Sequence, residues 1–548
     1  MALLTLPYEL VERILLLLAT ESVQTCRLVN RALSAIIQSS ALLQYSQACE
    51  AAGVIDNPRS LLSYPERLEA LEKREDAWRK LKPVFETTIK VEHQQSSLYG
   101  LTEGMYFLGD NNEKDLHYCH LPLSPQDDPR WFRIPRHGTE EGLPARLVNF
   151  ATAVYEHDLI IKAISSQIGN PEDMQEYSLD LVLLQFSTGE YHPLARHPRI
   201  HVQTSPDARL WVYPGIAGDN LVLVVNGDYV HNSKLLIFDW KTGHKRLEHD
   251  PMDYDSYFDF AFISPELLLV PNYGSGFEVW HLSPNSKPPV NILCLQIPAI
   301  SDEYRLRKFH CHGEPNSFLH PKPCLPPRPF FPSPESSIIN INIHIWTIAF
   351  DASTSFTLIM HRRALLETIQ KWTSSCLPEQ REDVETSSTN RFAAHEIQWK
   401  DWGPPISRFF HVHESQVRWN VNSIGQRYTF AYPNPSQHGR RTLIVYVVDF
   451  NPHNIWKHAE MMTRLRGEGE DNGGNVNEVG QKETEEGMEI LDDKGVFSEE
   501  VYMGLKCVVY RAPDEYDFDA VLMDGERLLG LKLDHENRHK SVQVLYFG

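Results

Sequence analysis

Cysteine is sparse and unpatterned in this chain: eight residues in 548, spread from Cys26 to Cys507 with no Cys-x-x-Cys pair. That excludes a disulfide scaffold and fits a reducing compartment, so a cytoplasmic and/or nuclear location is expected. Long apolar runs are missing as well. No stretch approaches the ~20 apolar residues of a membrane span. The run Leu15 to Leu18 follows Glu9, Glu12 and Arg13 and has no basic segment or small-residue cleavage site, which argues against a signal peptide. Basic clusters are also lacking. With 52 Lys and Arg against 73 Asp and Glu, the net charge is -21, and neither nucleic acid nor an anionic membrane is an expected partner.

Catalytic signatures are absent in the same way. There is no Gly-x-Ser-x-Gly elbow, no Gly-Lys-Ser/Thr phosphate loop and no His-Glu-x-x-His helix. Gly274-Ser275-Gly276 is too short for a dinucleotide fingerprint and precedes a strand pattern. His310-Cys311-His312 with His320 and Cys324 only loosely imitates the paired spacing of a zinc module. The acidic string Asp250, Asp253, Asp255, Asp259 lacks the glycine and terminal Glu of a calcium loop. The expectation is therefore a non-enzyme with no catalytic residue, no metal and no cofactor.

What the chain does have begins at its first residues. Leu6, Leu10, Ile14 and Leu18 recur every fourth position behind Pro7, whose missing N–H costs nothing at a helix start, and Val11 and Leu15 widen the stripe. A second helix can start at Ser22, with Val23, Cys26 and Val29 on one side. Asn30 can cap a third that carries Leu33, Ile36 and Ile37. Ser40 to Ala52 reads as a fourth, ended by Gly53. Ser63 and Glu66 make a capping box for a charged helix whose apolar side is Leu68, Leu71, Trp78 and Leu81, and Pro83 closes it.

From Phe85 the chemistry changes to short aromatic and β-branched runs punctuated by Gly, Pro, Asn and Asp. Leu181 to Phe186 runs through Ser187-Thr188-Gly189 into Glu190-Tyr191, and Leu235 to Trp240 through Lys241-Thr242-Gly243 into His244, so both read as hairpins. Their glycines lie 54 residues apart, near the ~40–50 of one propeller blade. Further strands are read at Leu267 to Val270, Phe277 to Leu282, Leu443 to Phe450, Lys506 to Tyr510, Ala520 to Met523, Leu528 to Leu533 and Val542 to Phe547. A degenerate β-propeller explains how so many short strands build one large domain; packed sandwiches are the alternative. Loop excursions are expected near 321–337, 374–389 and 466–494, where Pro or polar and acidic residues dominate.

Leu6-Pro7-Tyr8-Glu9-Leu10, Ile14-Leu15 and Cys26-Arg27-Leu28-Val29-Asn30-Arg31 together resemble the F-box. The resemblance implies a helical domain at 1–45 that binds a Skp-type adaptor, and through it a cullin, using Leu6, Pro7, Leu10, Ile14, Leu15, Leu18 and Val29. Two positions depart from the family pattern: Ala19-Thr20 replaces the usual Asp-Pro, and Ala32 replaces an aromatic. Leu43-Gln44-Tyr45, Ala51-Ala52-Gly53, Glu66-Arg67-Leu68, Ala77-Trp78-Arg79, Trp402-Gly403-Pro404-Pro405 and Met523 to Arg527 extend the similarity to uncharacterised fungal F-box proteins. The expected organisation is an α plus all-β multidomain chain: the F-box bundle at 1–45, a helical extension at 46–82 and a propeller-like domain at 83–548. The implied function is substrate recognition in an SCF-type ubiquitin ligase, with an unknown protein substrate and unknown substrate-binding residues. An adaptor-binding scaffold outside a ligase is the alternative, and a propeller hydrolase a weaker one.

Overall fold

The computed structural model describes residues 5–93, 95–102, 104–135, 145–168, 176–207, 209–227, 233–251, 256–274, 276–283, 287–316, 328–350, 352–374, 395–412, 421–434, 442–467 and 487–548. Side chains of 462–467 and Ser374 lie outside that description. The loop excursions expected at 374–389 and 466–494 fall largely outside it too.

Five helices open the chain: α1 (Tyr8–Leu16), α2 (Thr20–Val29), α3 (Arg31–Ser39), α4 (Ala41–Ala52) and α5 (Tyr64–Lys80). Their ends follow local chemistry. Asn30 caps α3 by accepting from the N–H groups of Ala32 and Leu33 at 2.6 and 3.2 Å. Ser40 caps α4, and Gly53 ends it in the left-handed conformation at φ 63°. Glu66 accepts from the Ser63 N–H at 2.8 Å in the expected capping box. One boundary differs from the sequence reading: α2 starts at Thr20 rather than after Ser22, and its N-cap, Ala19, has no side chain that can accept a hydrogen bond.

The remaining strands form seven main sheets, each with at least four strands, arranged as a seven-bladed propeller. Blade 1 spans Gln95–Thr102 to Trp131–Arg133, blade 2 Ala145–Ala153 to Arg199–Ser205, and blade 3 Trp211–Ala217 to Lys245–His249. Blade 4 spans Ala261–Ser264 to Val290–Leu295, and gains His395–Ile397 as a parallel outer strand. Blade 5 begins at Tyr304–His312 and ends at Ser407–His411, and blade 6 runs from Ser423–Ile424 to Val508–Tyr516. Blade 7 is shared between the two ends of the β-rich sequence: Ala520–Met523, Arg527–Leu533 and His539–Tyr546 take Phe85–Lys90 as their fourth strand. The register runs antiparallel from Phe85 opposite Tyr546 to Lys90 opposite Ser541, which closes the ring.

Central strands read as unbroken apolar runs because blades cover both of their faces. Leu221 to Val225 are all at most 1% exposed. The core is layered, one apolar layer between each neighbouring pair of blades. The Thr-Gly turns occupy equivalent places, after the third strands of blades 2 and 3, with φ of 72° at Gly189 and 75° at Gly243. The first of them does not lead into the expected hairpin. Tyr191 makes only an isolated bridge to Leu184, and the true partner strand is Arg199–Ser205.

Candidate functional site

The helical bundle divides its apolar residues between two faces. Val11 and Leu15 of α1 pack with Val23, Leu33, Ile37 and Leu43 as its core. On the other side Leu10, Ile14 and Leu18 are 46%, 37% and 41% exposed, and Leu17 is 86% exposed. Spacings of four, seven and eight residues from Leu10 place these four on one face of α1 and the turn after it. Pro7 is exposed as the N-cap residue of α1, and Val29, at 70% exposure, sits beside exposed Leu28 on the last turn of α2. Five of the seven residues expected to meet a partner are thus presented to solvent: Pro7, Leu10, Ile14, Leu18 and Val29. Leu6 is partly buried against the bundle core, and Leu15 lies within it at 1% exposure, where it holds the helix in place. Tyr8, Leu17 and Leu28 join the exposed set and were not singled out from sequence. The spacing of Leu17 from Leu10 was the signal for that residue.

A bundle this small needs an anchor, and α4 and α5 supply it. The Ser40 hydroxyl bonds Glu12, that of Thr20 bonds Glu50, and the Gln24 amide donates to Gln47 at 3.0 Å, tying the first two helices to α4. Further along, Trp78 of α5 enters the apolar layer between blades 6 and 7. There it stacks on Phe547 with ring centroids 4.1 Å apart, and Arg427 covers it at 5.3 Å. Glu75 pairs with Arg427 of blade 6 and, at 2.8 Å, with Arg74. Burial alone would push the Glu75 carboxyl up, but Arg427 and Arg74 together hold it down at about 2. A strap completes the joint: Val54–Asp56 pairs antiparallel with Phe330–Pro332, from within the Pro-rich segment between the first two strands of blade 5. The Asn57 side chain donates to the Arg328 carbonyl at 2.6 Å, Tyr45 to that of Pro329 at 3.1 Å, and Asn451 to that of Ala51 at 2.8 Å.

The helices and strap occupy the face where the innermost strands of the blades end. On the opposite face, where those strands begin, Trp211 and Phe350 are both 61% exposed. Lys308 lies 5.9 Å from the Trp211 ring and Arg307 lies 6.0 Å from that of Trp346. Arg307 is the extra residue where the register of the first strand of blade 5 shifts, a bulge that turns it outward.

Among the described residues, the metal-capable side chains do not converge. His310 Nδ1 is 3.7 Å from Asp259, while His312 Nε2 reaches the Ser423 carbonyl at 3.0 Å, and burial pushes the His312 ring down to about 4. Among the described residues no group of three His, Cys, Asp or Glu is placed to hold a metal. His320, Cys324, Asp253 and Asp255 lie outside those residues.

Residues 3–45 match the F-box domain. No curated protein matches the chain. Among solved structures, the chain is similar to Kuenenia stuttgartiensis hydrazine synthase, at 8% identity over 54% of this chain and 85% of that one, with a TM-score of 0.27. The C-terminal WD40 domain of Sif2 is 10% identical over 60% and 94% of the two chains, with a TM-score of 0.22. Chaetomium thermophilum Raptor is 9% identical over 60% and 30%, with a TM-score of 0.24. Likenesses this distant carry no argument; the propeller rests on the strand pairing itself.

Proposed function

We propose that this protein is a non-catalytic substrate-recognition subunit of an SCF-type ubiquitin ligase, present in the cytoplasm or nucleus. The observation that carries the reading is the F-box match at 3–45 coinciding with an exposed apolar face, Leu10, Ile14, Leu17 and Leu18, on a bundle bonded to a seven-bladed ring. A solvent-exposed apolar stripe on a short helix is a surface built to be covered, and a groove in a Skp-type adaptor is the cover this family uses. The chain makes no bond itself. Its part is to hold a protein substrate near a ubiquitin-loaded enzyme carried by the cullin, which raises the effective concentration of the substrate's lysines. The joint through α5 and the strap suits that part, because a stiff arm fixes the distance from adaptor to ring. The substrate, in this reading, meets the face bearing Trp211, Trp346 and Phe350, whose exposed rings lie on the side of the ring opposite the strap. In this reading the units are the F-box at 1–45, the anchoring extension at 46–82 and the propeller at 83–548.

The test is affinity purification of the full chain and of Leu10→Asp from cells, with bound proteins identified by mass spectrometry. Adaptor and cullin should both accompany the wild type and both be lost from the variant. Adaptor without cullin would turn the protein into a scaffold outside a ligase, and neither partner would end the proposal.

A further inference from the structure

Where the helical arm meets the ring there is a cavity of about 110 Å³. Its walls come from the ends of the innermost strands of several blades and from the strap, with Leu101, Tyr155, Phe331, Val421, Ile424 and Met523 among the apolar lining. It is thus a seam that belongs neither to the bundle nor to the propeller alone. A void of this order is comparable with the ~150 Å³ apolar cavity that takes up benzene, and apolar walls are poor hosts for water.

The charges around it are already balanced. Asp56 pairs with Arg67 at 2.7 Å, Asp524 with Arg527 at 2.9 Å, and Arg328 with Glu526 at 3.2 Å. His312 spends its Nε2 on the Ser423 carbonyl. Arg362 gives its Nη1 N–H groups to the carbonyls of Pro315 and Pro334 and its Nη2 to that of Gly313. Glu314 is the exception. Glu314 lines the cavity, nothing among the described residues donates a hydrogen bond to its carboxyl group, and burial pushes that group up to about 7 against the pull of Arg362.

We propose that this cavity is a binding site for a small uncharged molecule with a compact branched aliphatic body and one hydroxyl group, the hydroxyl donating to the Glu314 carboxyl. A cationic ligand could reach Glu314 but would be repelled by Arg328 and Arg362 and would lose far more hydration among apolar walls than a hydroxyl does, and an anion would be repelled by Glu314, Asp56 and Asp524. A purely apolar ligand would leave Glu314 without its hydrogen bond. A bound molecule of this kind touches the strap and the blade ends together, and it therefore stabilises the seating of the arm on the ring.

Saturation-transfer NMR on the full chain tests this with three probes of one shape: isoamyl alcohol, isoamylamine and isovalerate. The alcohol should give a saturable signal in the millimolar range, and the two charged probes should bind at least about tenfold more weakly. Val421→Phe, which fills the void, should abolish the alcohol signal. Glu314→Met, nearly the same shape without an oxygen, should weaken it about tenfold and decides the matter if the first variant does not fold. No saturable alcohol signal, equal binding of the three probes, or alcohol binding unchanged in a folded variant would overturn the proposal.

Discussion

Ala19 shows how one side chain bears on the stability of the N-terminal helical bundle. It stands at the N-cap of α2 with φ −60° and ψ 149°, a conformation that suits a capping residue, yet it offers no oxygen to the exposed N–H groups of the first turn. Ala19→Ser should therefore stabilise the bundle by ~1 kcal/mol, read as slower amide exchange across α1 to α3. Unchanged protection would mean that the helix start is satisfied in another way. Glu75 is the counterpart at the joint. Its folded value of about 2 lies below the ordinary 4.5, so its stabilising contribution is complete above pH 4.5 and is lost as the pH falls toward 2. Asp449, which shares Arg427, works against this because burial pushes its carboxyl up despite the guanidinium. Glu75→Gln should lower stability at neutral pH by ~3 kcal/mol and flatten the acid limb of a urea-midpoint profile below pH 4.5. A variant with the wild-type profile would show that the Arg427 pair contributes nothing.

At the scale of elements, α5 is both a helix of the N-terminal region and a filler of the propeller. A chain starting at Ser40 keeps Trp78 and Leu81 in the layer between blades 6 and 7, whereas one starting at Pro83 leaves Phe547 and Val445 without those neighbours. Both should fold with β-type circular dichroism, and the shorter should melt several degrees lower, since removing a buried Trp from a core costs ~3–5 kcal/mol. Equal midpoints would show that α5 merely rests on the ring. This dual role was half legible in the sequence. Leu71, Trp78 and Leu81 stood out as the apolar side of α5, but the burial of Arg67 and Arg74 was not legible, because Asp56 and the Phe330 ring are brought to them by folding. Caps at Asn30, Ser40, Gly53 and Ser63 were readable because they depend on neighbours in sequence. The strand at Arg199–Ser205 was not, since the Ser187-Thr188-Gly189 turn after Glu176–Gln185 points to Tyr191 as the start of the returning strand, where only an isolated bridge forms. The Glu314 cavity left no trace in the sequence at all: its walls are drawn from positions between Ile55 and Gly525.

The whole molecule is a ring closed by its own N-terminal strand and carrying a short apolar-faced bundle on a bonded arm. Ring closure by Phe85–Lys90 could not be read from the β-branched pattern, because pairing with His539–Tyr546 joins segments more than four hundred residues apart. The bundle was legible as a local apolar stripe, yet which stripe residues face outward required the fold: Leu15 and Leu10 look equivalent by spacing, and one is core while the other is surface. That distinction is also where the account is most exposed. Isothermal titration calorimetry of the purified full chain against a Skp-type adaptor, with Leu10→Asp and Ile14→Asp beside the wild type, tests it directly. The wild type should bind at micromolar concentration or tighter, and each variant should lose at least ~30-fold, the ~2 kcal/mol of a central apolar anchor plus the cost of burying a carboxylate, while both stay folded because Leu10 and Ile14 lie outside the bundle core. No heat of binding from the folded wild type, or wild-type affinity in Leu10→Asp, would contradict the docking face and the ligase reading built on it.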